Sequence, residues 1–107
     1  MVVWIIGLSG SGKTTLAEEV TARLRKAGRT AVLLDGDVIR QLFGNDVDHT
    51  IEGRRKNAER LSHLTQFLAM QQVDVVAAVL SIFPEWQRWN RSHVPGYREV
   101  YLQASME

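Results

Sequence analysis

The chain contains no cysteine, which excludes a disulfide framework, a thiolate metal site and a catalytic thiol. Charge of one sign is also lacking: 13 Lys and Arg against 12 Asp and Glu leave a net charge of +1. Such a balance does not indicate binding to nucleic acid or to an anionic membrane. No apolar run approaches the roughly 20 residues that a membrane span needs. The opening letters MVVWIIG lack a basic leader, so they predict a buried strand rather than an export signal.

What is present is the composition of an ordinary globular protein. The 107 residues are 45% hydrophobic and 23% charged, without repeats or low-complexity segments. A chain of this length fits one hydrophobic core. We therefore expect a single cytoplasmic domain that covers residues 1–107.

Short apolar runs alternate with stretches of helical periodicity. The runs predict strands at residues 2–6, 30–34, 73–80 and 99–102, with the little in–out alternation expected of a covered parallel sheet. Helices are predicted at residues 13–27, where Gly28 follows as a stop, at 51–72 and at 85–91. This order predicts a three-layer α/β domain with a mostly parallel sheet, whose ligands bind at the carboxyl ends of the strands.

The letters GLSGSGKTT at residues 7–15 match G-x-x-x-x-G-K-[ST] between a predicted strand and a predicted helix. Glycines there let backbone N–H groups turn toward a phosphate, Lys13 adds a positive charge, and the Thr14 hydroxyl suits Mg²⁺. A glycine-rich turn with a chance lysine is the alternative. The flanking strand and helix favour nucleotide binding.

A second polar segment, LLDGDVIR, follows the second predicted strand. Asp37 could accept the proton of an acceptor hydroxyl, and Arg40 would lie on the same side of a helical turn and hold an anion. Asp35 could face Mg²⁺. The alternative is a solvated turn followed by a helix N-cap, which the tripeptide alone would favour.

Together with RRKNAER at residues 54–60 and REVYL at residues 98–102, these segments resemble the adenylylsulfate kinase (APS kinase) family of P-loop kinases over nearly the whole chain. The resemblance implies a P-loop NTPase fold and transfer of the ATP γ-phosphate to the ribose 3′-hydroxyl of adenylyl sulfate, with Mg²⁺. The implied catalytic residues are Asp35, Asp37 and Lys13, and Thr14 and Asp35 are the implied metal ligands. The implied ATP-binding residues are Gly7, Ser9, Gly10, Ser11, Gly12, Lys13, Thr14 and Thr15. The implied acceptor-binding residues are Asp37, Arg40, His49, Arg54, Asn57, Arg60, Ser81, Ile82 and Phe83.

Further expectations come from the same family. Its members continue past the last strand with a lid and further elements, so residues 1–107 would be the N-terminal part of the usual domain, with low turnover on their own. The partner would be a small nucleotide, with neither nucleic acid nor membrane involved, and many relatives form homodimers.

Two departures from the family leave the acceptor open. Asp48, His49 and Thr50 stand where the family has Gly-Phe-Ser, and SIFPEWQRWNR replaces the usual Ser-Pro segment. These features suit a sister branch, the cytidine diphosphoramidate kinases. A non-catalytic ATP-binding module is a third possibility, although it would need neither Asp37 nor Arg40.

Other residues have simpler interpretations. We expect Trp86 and Trp89 to be a packing pair and His63 to be structural on the long helix. Arg55 and Lys56 are predicted to be a solvated face of that helix. In contrast, Arg54 and Arg60 lie three residues either side of Asn57 and are predicted to share a face with it.

Overall fold

In the computed structural model, the chain is described at residues 1–8, 11–44, 50–80 and 83–102. Its elements are the strands β1 (Val2–Ile6), β2 (Ala31–Asp35), β3 (Asp74–Val79) and β4 (Tyr97–Tyr101) and the helices α1 (Lys13–Lys26), α2 (Gly36–Leu42), α3 (Ile51–Ala69) and α4 (Pro84–His93). The strands form one parallel sheet in the order β2-β3-β1-β4. The predicted parallel α/β architecture is confirmed.

Helices cover both faces of this sheet. On one face, Leu16, Val20 and Leu24 of α1 pack against a core formed by Ile5, Ala17, Val76 and Ala78. On the other face, α2, α3 and α4 contribute to a larger core built on Trp4, Leu34, Leu61, Val75 and Val94. Because β3 is central, all six of its residues are buried, which explains its unbroken apolar pattern.

The helix ends follow local sequence signals. Gly28 adopts a left-handed φ of 85°, and the N–H groups of Gly28 and Arg29 bond the carbonyls of Arg25 and Leu24, which closes α1. The Thr50 hydroxyl accepts a bond from the Gly53 N–H at 3.1 Å and caps α3.

Three elements have an end that lies two or three residues from the predicted one. Helix α3 ends at Ala69 rather than at residue 72, because Gln72 takes a left-handed φ of 64° and the chain turns into β3. Strand β4 begins at Tyr97, two residues early, because the register pairs Tyr97 with Val2. Helix α4 runs from Pro84 to His93, so it exceeds the predicted residues 85–91 at both ends.

Asp74 joins three segments at the end of the sheet where the strands begin. Its side chain is only 5% exposed, and it accepts hydrogen bonds from the Met1 amino group at 3.0 Å and from two nitrogens of Arg29. The Arg29 hydrogen bond is the main cause that lowers the pKa of Asp74, to about 2, against the opposing effect of burial. The carboxylate therefore ties β1 and the α1–β2 turn to β3.

Two tryptophans pack side by side on α4, as predicted. The rings of Trp86 and Trp89 lie 5.6 Å apart, and His63 of α3 contacts both of them, at 5.6 and 4.8 Å. Trp89 also packs against the larger core. Within the four described segments, no helix has both the length and the apolar character required to cross a bilayer.

Candidate active site

A cleft opens where β1, β2 and β3 end. Because these strands are parallel and in register, the residues that follow Ile6, Asp35 and Val79 meet at one edge of the sheet. The cleft is lined by Lys13, Asp35, Gly36, Asp37, Arg40, Arg54, Asn57, Ala58, Leu61, Ala78, Val79 and Leu80. Six residues predicted from the sequence thus surround one space, namely Lys13, Asp35, Asp37, Arg40, Arg54 and Asn57.

The predicted phosphate loop leads into α1, whose first residue, Lys13, lines the cleft. A Cβ atom on Gly7 would lie 2.5 Å from the Ser11 Oγ and 3.3 Å from the Leu102 Cβ, so a side chain there would have to displace the Ser11 hydroxyl. Gly12 has a left-handed φ of 89° and precedes α1 without a side-chain cap. The first N–H groups of α1 are therefore available to an anion, and Lys13 lies beside them.

Other side chains of this loop agree with a polyanion site. Thr14 and Thr15 are exposed in the first turn of α1, and no acidic residue lies in that turn. The Ser11 Oγ is buried without a hydrogen-bond partner among the described residues. A phosphate oxygen would satisfy such a hydroxyl.

Asp35 has a structural function in addition to its place in the cleft. Its Oδ1 accepts bonds from the N–H groups of Asp37 at 2.9 Å and Val38 at 3.3 Å, which caps α2. The helix-cap alternative considered above therefore applies to Asp35. This capping role does not remove the carboxylate from the cleft, because Asp35 is also one of the residues that line the cleft.

Asp37 and Arg40 form an ion pair one helical turn apart. The Arg40 Nη2 donates to the Asp37 Oδ1 at 2.7 Å. The Arg40 side chain is only 11% exposed, whereas that of Asp37 is 62% exposed. A nearly buried cation thus holds a carboxylate that solvent can reach.

Helix α3 forms the wall opposite α2. Asn57 is buried, and its Nδ2 donates to the Gly36 carbonyl at 3.0 Å, which joins α3 to the acidic turn. The Asn57 Oδ1 and the Arg54 Nε are buried and have no hydrogen-bond partner in the described part of the chain. Unpartnered polar atoms at a cleft wall are those that a bound ligand would complete.

Arg60 does not line the cleft with Arg54 and Asn57. Its guanidinium instead lies over the ring of Phe43, 4.1 Å from the ring centroid, at the end of α2. The prediction placed it on the same helix face as Asn57. Arg54 and Arg60 are six residues apart, which leaves about 120° between their directions on the helix, so Arg54 faces the cleft while Arg60 faces α2.

Arg55 is partly solvated, with 40% of its side chain exposed, but it also makes contacts that the predicted solvated face did not include. Arg55 contacts Glu52 at 3.2 Å, Glu85 at 3.6 Å and the face of the Phe83 ring at 5.1 Å. Neither this contact nor that of Arg60 with Phe43 could be found from sequence spacing, because each depends on how α3 packs against a neighbouring helix. Adjacent Lys56 is exposed, as expected.

Several predicted site residues lie outside the described segments. These are Ser9 and Gly10 of the phosphate loop, His49 before α3, and Ser81 and Ile82 after β3. Phe83 is described and buried, and it immediately precedes α4.

The sequence profile of the adenylylsulphate kinase family matches residues 1–107. The chain belongs to this family. It is 39% identical over 107 residues to the adenylyl-sulfate kinase of Paraburkholderia xenovorans, with 99% of this chain and 60% of that protein covered. It is also 30% identical over 105 residues to the cytidine diphosphoramidate kinase of Campylobacter jejuni, with 98% of this chain and 61% of that protein covered.

A solved structure supports the same family. The chain is similar to the Mycobacterium tuberculosis APS kinase in complex with AMPPNP and APS, with a TM-score of 0.79 and 31% identity over 95% of this chain and 59% of that chain. The P-loop NTPase fold implied by the sequence is confirmed by this likeness. The chain spans about 60% of the length of the P. xenovorans relative.

Proposed function

We propose that this chain carries the nucleotide-binding and acceptor-binding core of an ATP-dependent kinase that phosphorylates a nucleotide. The observation that carries this proposal is that Lys13 and Asp37 line the same cleft. A phosphate donor and an acceptor hydroxyl would meet there. The solved relative in complex with AMPPNP and APS supports ATP as the donor.

At the donor end, the phosphates of ATP would occupy the turn from Gly7 to the start of α1. The uncapped N–H groups and Lys13 would neutralise charge on the phosphates, and the buried Ser11 hydroxyl could donate to a phosphate oxygen. Thr14 and Asp35 would hold Mg²⁺, which supplies further charge neutralisation at the transferring phosphoryl group. These residues fit the ion because both carry hard oxygen donors.

At the acceptor end, Asp37 would accept the proton of the attacking hydroxyl. The Arg40 contact fixes the Asp37 carboxylate at one side of the cleft, and Arg54 supplies a second cation for an anionic acceptor. Catalysis would then consist mainly of positioning and charge neutralisation, with no covalent intermediate.

The proposed acceptor is adenylyl sulfate, phosphorylated at its ribose 3′-hydroxyl. Cytidine diphosphoramidate is the second candidate, because a kinase named for that substrate matches 98% of the chain and His49 replaces the phenylalanine usual in APS kinases. A non-catalytic ATP-binding module is disfavoured by Asp37 and Arg40. A cytoplasmic location and a homodimer stay predictions from the sequence.

A coupled assay with ATP, Mg²⁺ and each acceptor tests the proposal. ATP consumption with adenylyl sulfate alone would support the first candidate, and consumption with cytidine diphosphoramidate alone the second. ATP binding without transfer to either would support the binding module instead.

Two substitutions separate the donor end from the acceptor end. Lys13→Ala is expected to abolish ATP binding, whereas Asp37→Ala should retain ATP binding and lose transfer. Lys26→Ala, at the exposed far end of α1, is the matched control and should bind ATP normally. Equal loss of ATP binding in the Lys13 and Asp37 variants would contradict this division.

A further inference from the structure

Asn57 lies where α3 meets the acidic turn, residues 35–37, at the start of α2. It lines the cleft together with Asp35, Gly36 and Asp37, and it is only 7% exposed. Its Nδ2 donates to the Gly36 carbonyl at 3.0 Å, across 21 positions of the sequence. The Asn57 amide therefore contacts the residue that separates two carboxylates of the cleft.

The hydrogen bonds within the acidic turn do not connect it to another element. The Asp35 Oδ1 accepts bonds from the N–H groups of Asp37 and Val38, and the Arg40–Asp37 pair lies within α2. These contacts give the turn its shape. The bond from Asn57 comes from a different helix, so it fixes the turn relative to α3.

Gly36 is packed as well as hydrogen-bonded. A Cβ atom built on it would lie 3.5 Å from the Ala78 carbonyl oxygen of β3 and 3.6 Å from the Leu61 Cδ1 of α3. The backbone of the turn therefore lies close to both elements. Packing has no preferred direction, whereas a hydrogen bond does. The Asn57 bond thus selects one orientation of a turn that packing alone would leave free to rotate.

The orientation of the turn determines where the Asp37 carboxylate lies. Asp37 directly follows Gly36, and both belong to the first turn of α2. A rotation at Gly36 would therefore move the Asp37 carboxylate and change its distance to an acceptor hydroxyl. A general base must lie within hydrogen-bond distance of the proton that it accepts, and a displacement of about 1 Å can cost about 100-fold in rate.

We propose that Asn57 is a positioning residue for Asp37: its side-chain amide binds the Gly36 carbonyl and thereby orients the Asp37 carboxylate toward the acceptor hydroxyl. This inference rests on the proposed kinase function. The family resemblance implies a different role for Asn57, direct contact with the acceptor. Kinetics separate the two roles, because loss of a uniform contact raises the KM for the acceptor, whereas a misplaced base lowers kcat.

The test is steady-state kinetics of Asn57→Ala and Asn57→Ser, with the acceptor that the wild-type protein uses. Asn57→Ala should lower kcat at least about tenfold, because the carboxylate is no longer held in place. The KM for the acceptor and the dissociation constant of ATP, measured by calorimetry, should each stay within about twofold of wild type. Asn57→Ser keeps a shorter hydrogen-bond donor and should lower kcat about threefold.

Ser62→Ala is the matched control on the same helix. Ser62 is fully buried, its Oγ has no hydrogen-bond partner among the described residues, and it is not one of the described residues that line the cleft. The substitution removes a buried polar atom from α3 without changing the acidic turn, so kcat should stay within about twofold of wild type. If Asn57→Ala has lost its helical circular dichroism, Asn57→Ser decides.

Each result separates the inference from the function on which it rests. An unchanged kcat in folded Asn57 variants of an active enzyme would overturn the inference alone. A raised acceptor KM with an unchanged kcat would also overturn it and assign Asn57 to direct acceptor binding. An equal fall in kcat in Ser62→Ala would overturn it as well, because the cause would then be general destabilisation of α3. No transfer by the wild-type protein to either acceptor would overturn the proposed function and the inference with it.

Discussion

Replacement of Asp74 by asparagine tests how the strands are held at the edge of the sheet opposite the cleft. The carboxylate is nearly buried and contacts the Met1 amino group and Arg29. Asp74→Asn keeps the shape of the side chain and removes its charge. Both cations then lose their charged partner, so we expect a less stable protein with an unchanged fold.

The size of this effect follows from the pKa of Asp74. Its value is lowered from 3.8 to about 2 in the folded protein. At about 1.36 kcal/mol per pKa unit, the charged interactions of Asp74 contribute about 2 kcal/mol to the free energy of unfolding at neutral pH. For a domain of this size, such a loss lowers the melting temperature by about 10 °C.

The direction of this pKa shift determines how the stability difference between wild type and Asp74→Asn changes with pH. A carboxylate whose pKa is lowered by folding stabilises the protein above its unfolded-state pKa, and this contribution is lost as the pH falls through the folded-state value. The stability difference between wild type and Asp74→Asn should therefore stay constant from about pH 7 to 5 and shrink from about pH 4 to 2.

Urea unfolding at several pH values, followed by circular dichroism, measures this difference. Glu19→Gln is the control, because it breaks an exposed ion pair with Arg23 and should cost less than about 0.5 kcal/mol. A difference that persists undiminished at pH 2 would refute the reasoning, because the cost would then come from packing rather than charge. Equal costs for the two substitutions would refute it as well.

Three further substitutions test the cleft and the core. Gly7→Ala places a Cβ 2.5 Å from the Ser11 Oγ, so calorimetry should show ATP affinity reduced at least about tenfold. Affinity equal to wild type would mean that the turn can relax. Leu61→Ala removes a side chain that is 2% exposed, so urea unfolding should show a free energy of unfolding lower by about 2–5 kcal/mol. Leu42→Ala, at a 73% exposed position, is the control and should cost less than about 0.5 kcal/mol. Thr50→Ala removes the cap of α3 and should cost about 1 kcal/mol, and failure of Thr50→Ser to restore stability would argue against the cap.

Local signals in the sequence were sufficient for the architecture and the phosphate loop. The match from Gly7 to Thr14 lies within one strand, turn and helix, so its geometry depends on neighbours in sequence. The end of α3 was predicted less well. Residues 70–72 have no glycine or proline to mark a stop, and the non-glycine residue Gln72 adopts the left-handed conformation that ends the turn.

Contacts between helices were beyond sequence reasoning. Arg54 and Arg55 are adjacent and chemically identical, yet one lines the cleft and the other contacts Phe83, the residue before α4. Their difference depends on how α3 is rotated against α2 and α4, with Leu61 of α3 buried in the larger core. The charges and the spacing of residues along the chain do not reveal this rotation of α3.

The two ends of the cleft are formed by elements that pack on opposite faces of the sheet. The proposed donor end lies where the chain leads into α1 on one face of the sheet, whereas the proposed acceptor end is formed by α2 and α3, which pack on the other face. Under the proposed function, substitutions on α2 and α3 would therefore change the acceptor contacts without altering the contacts of α1 with ATP. Such a division would allow the acceptor nucleotide to change while the phosphate donor stays the same.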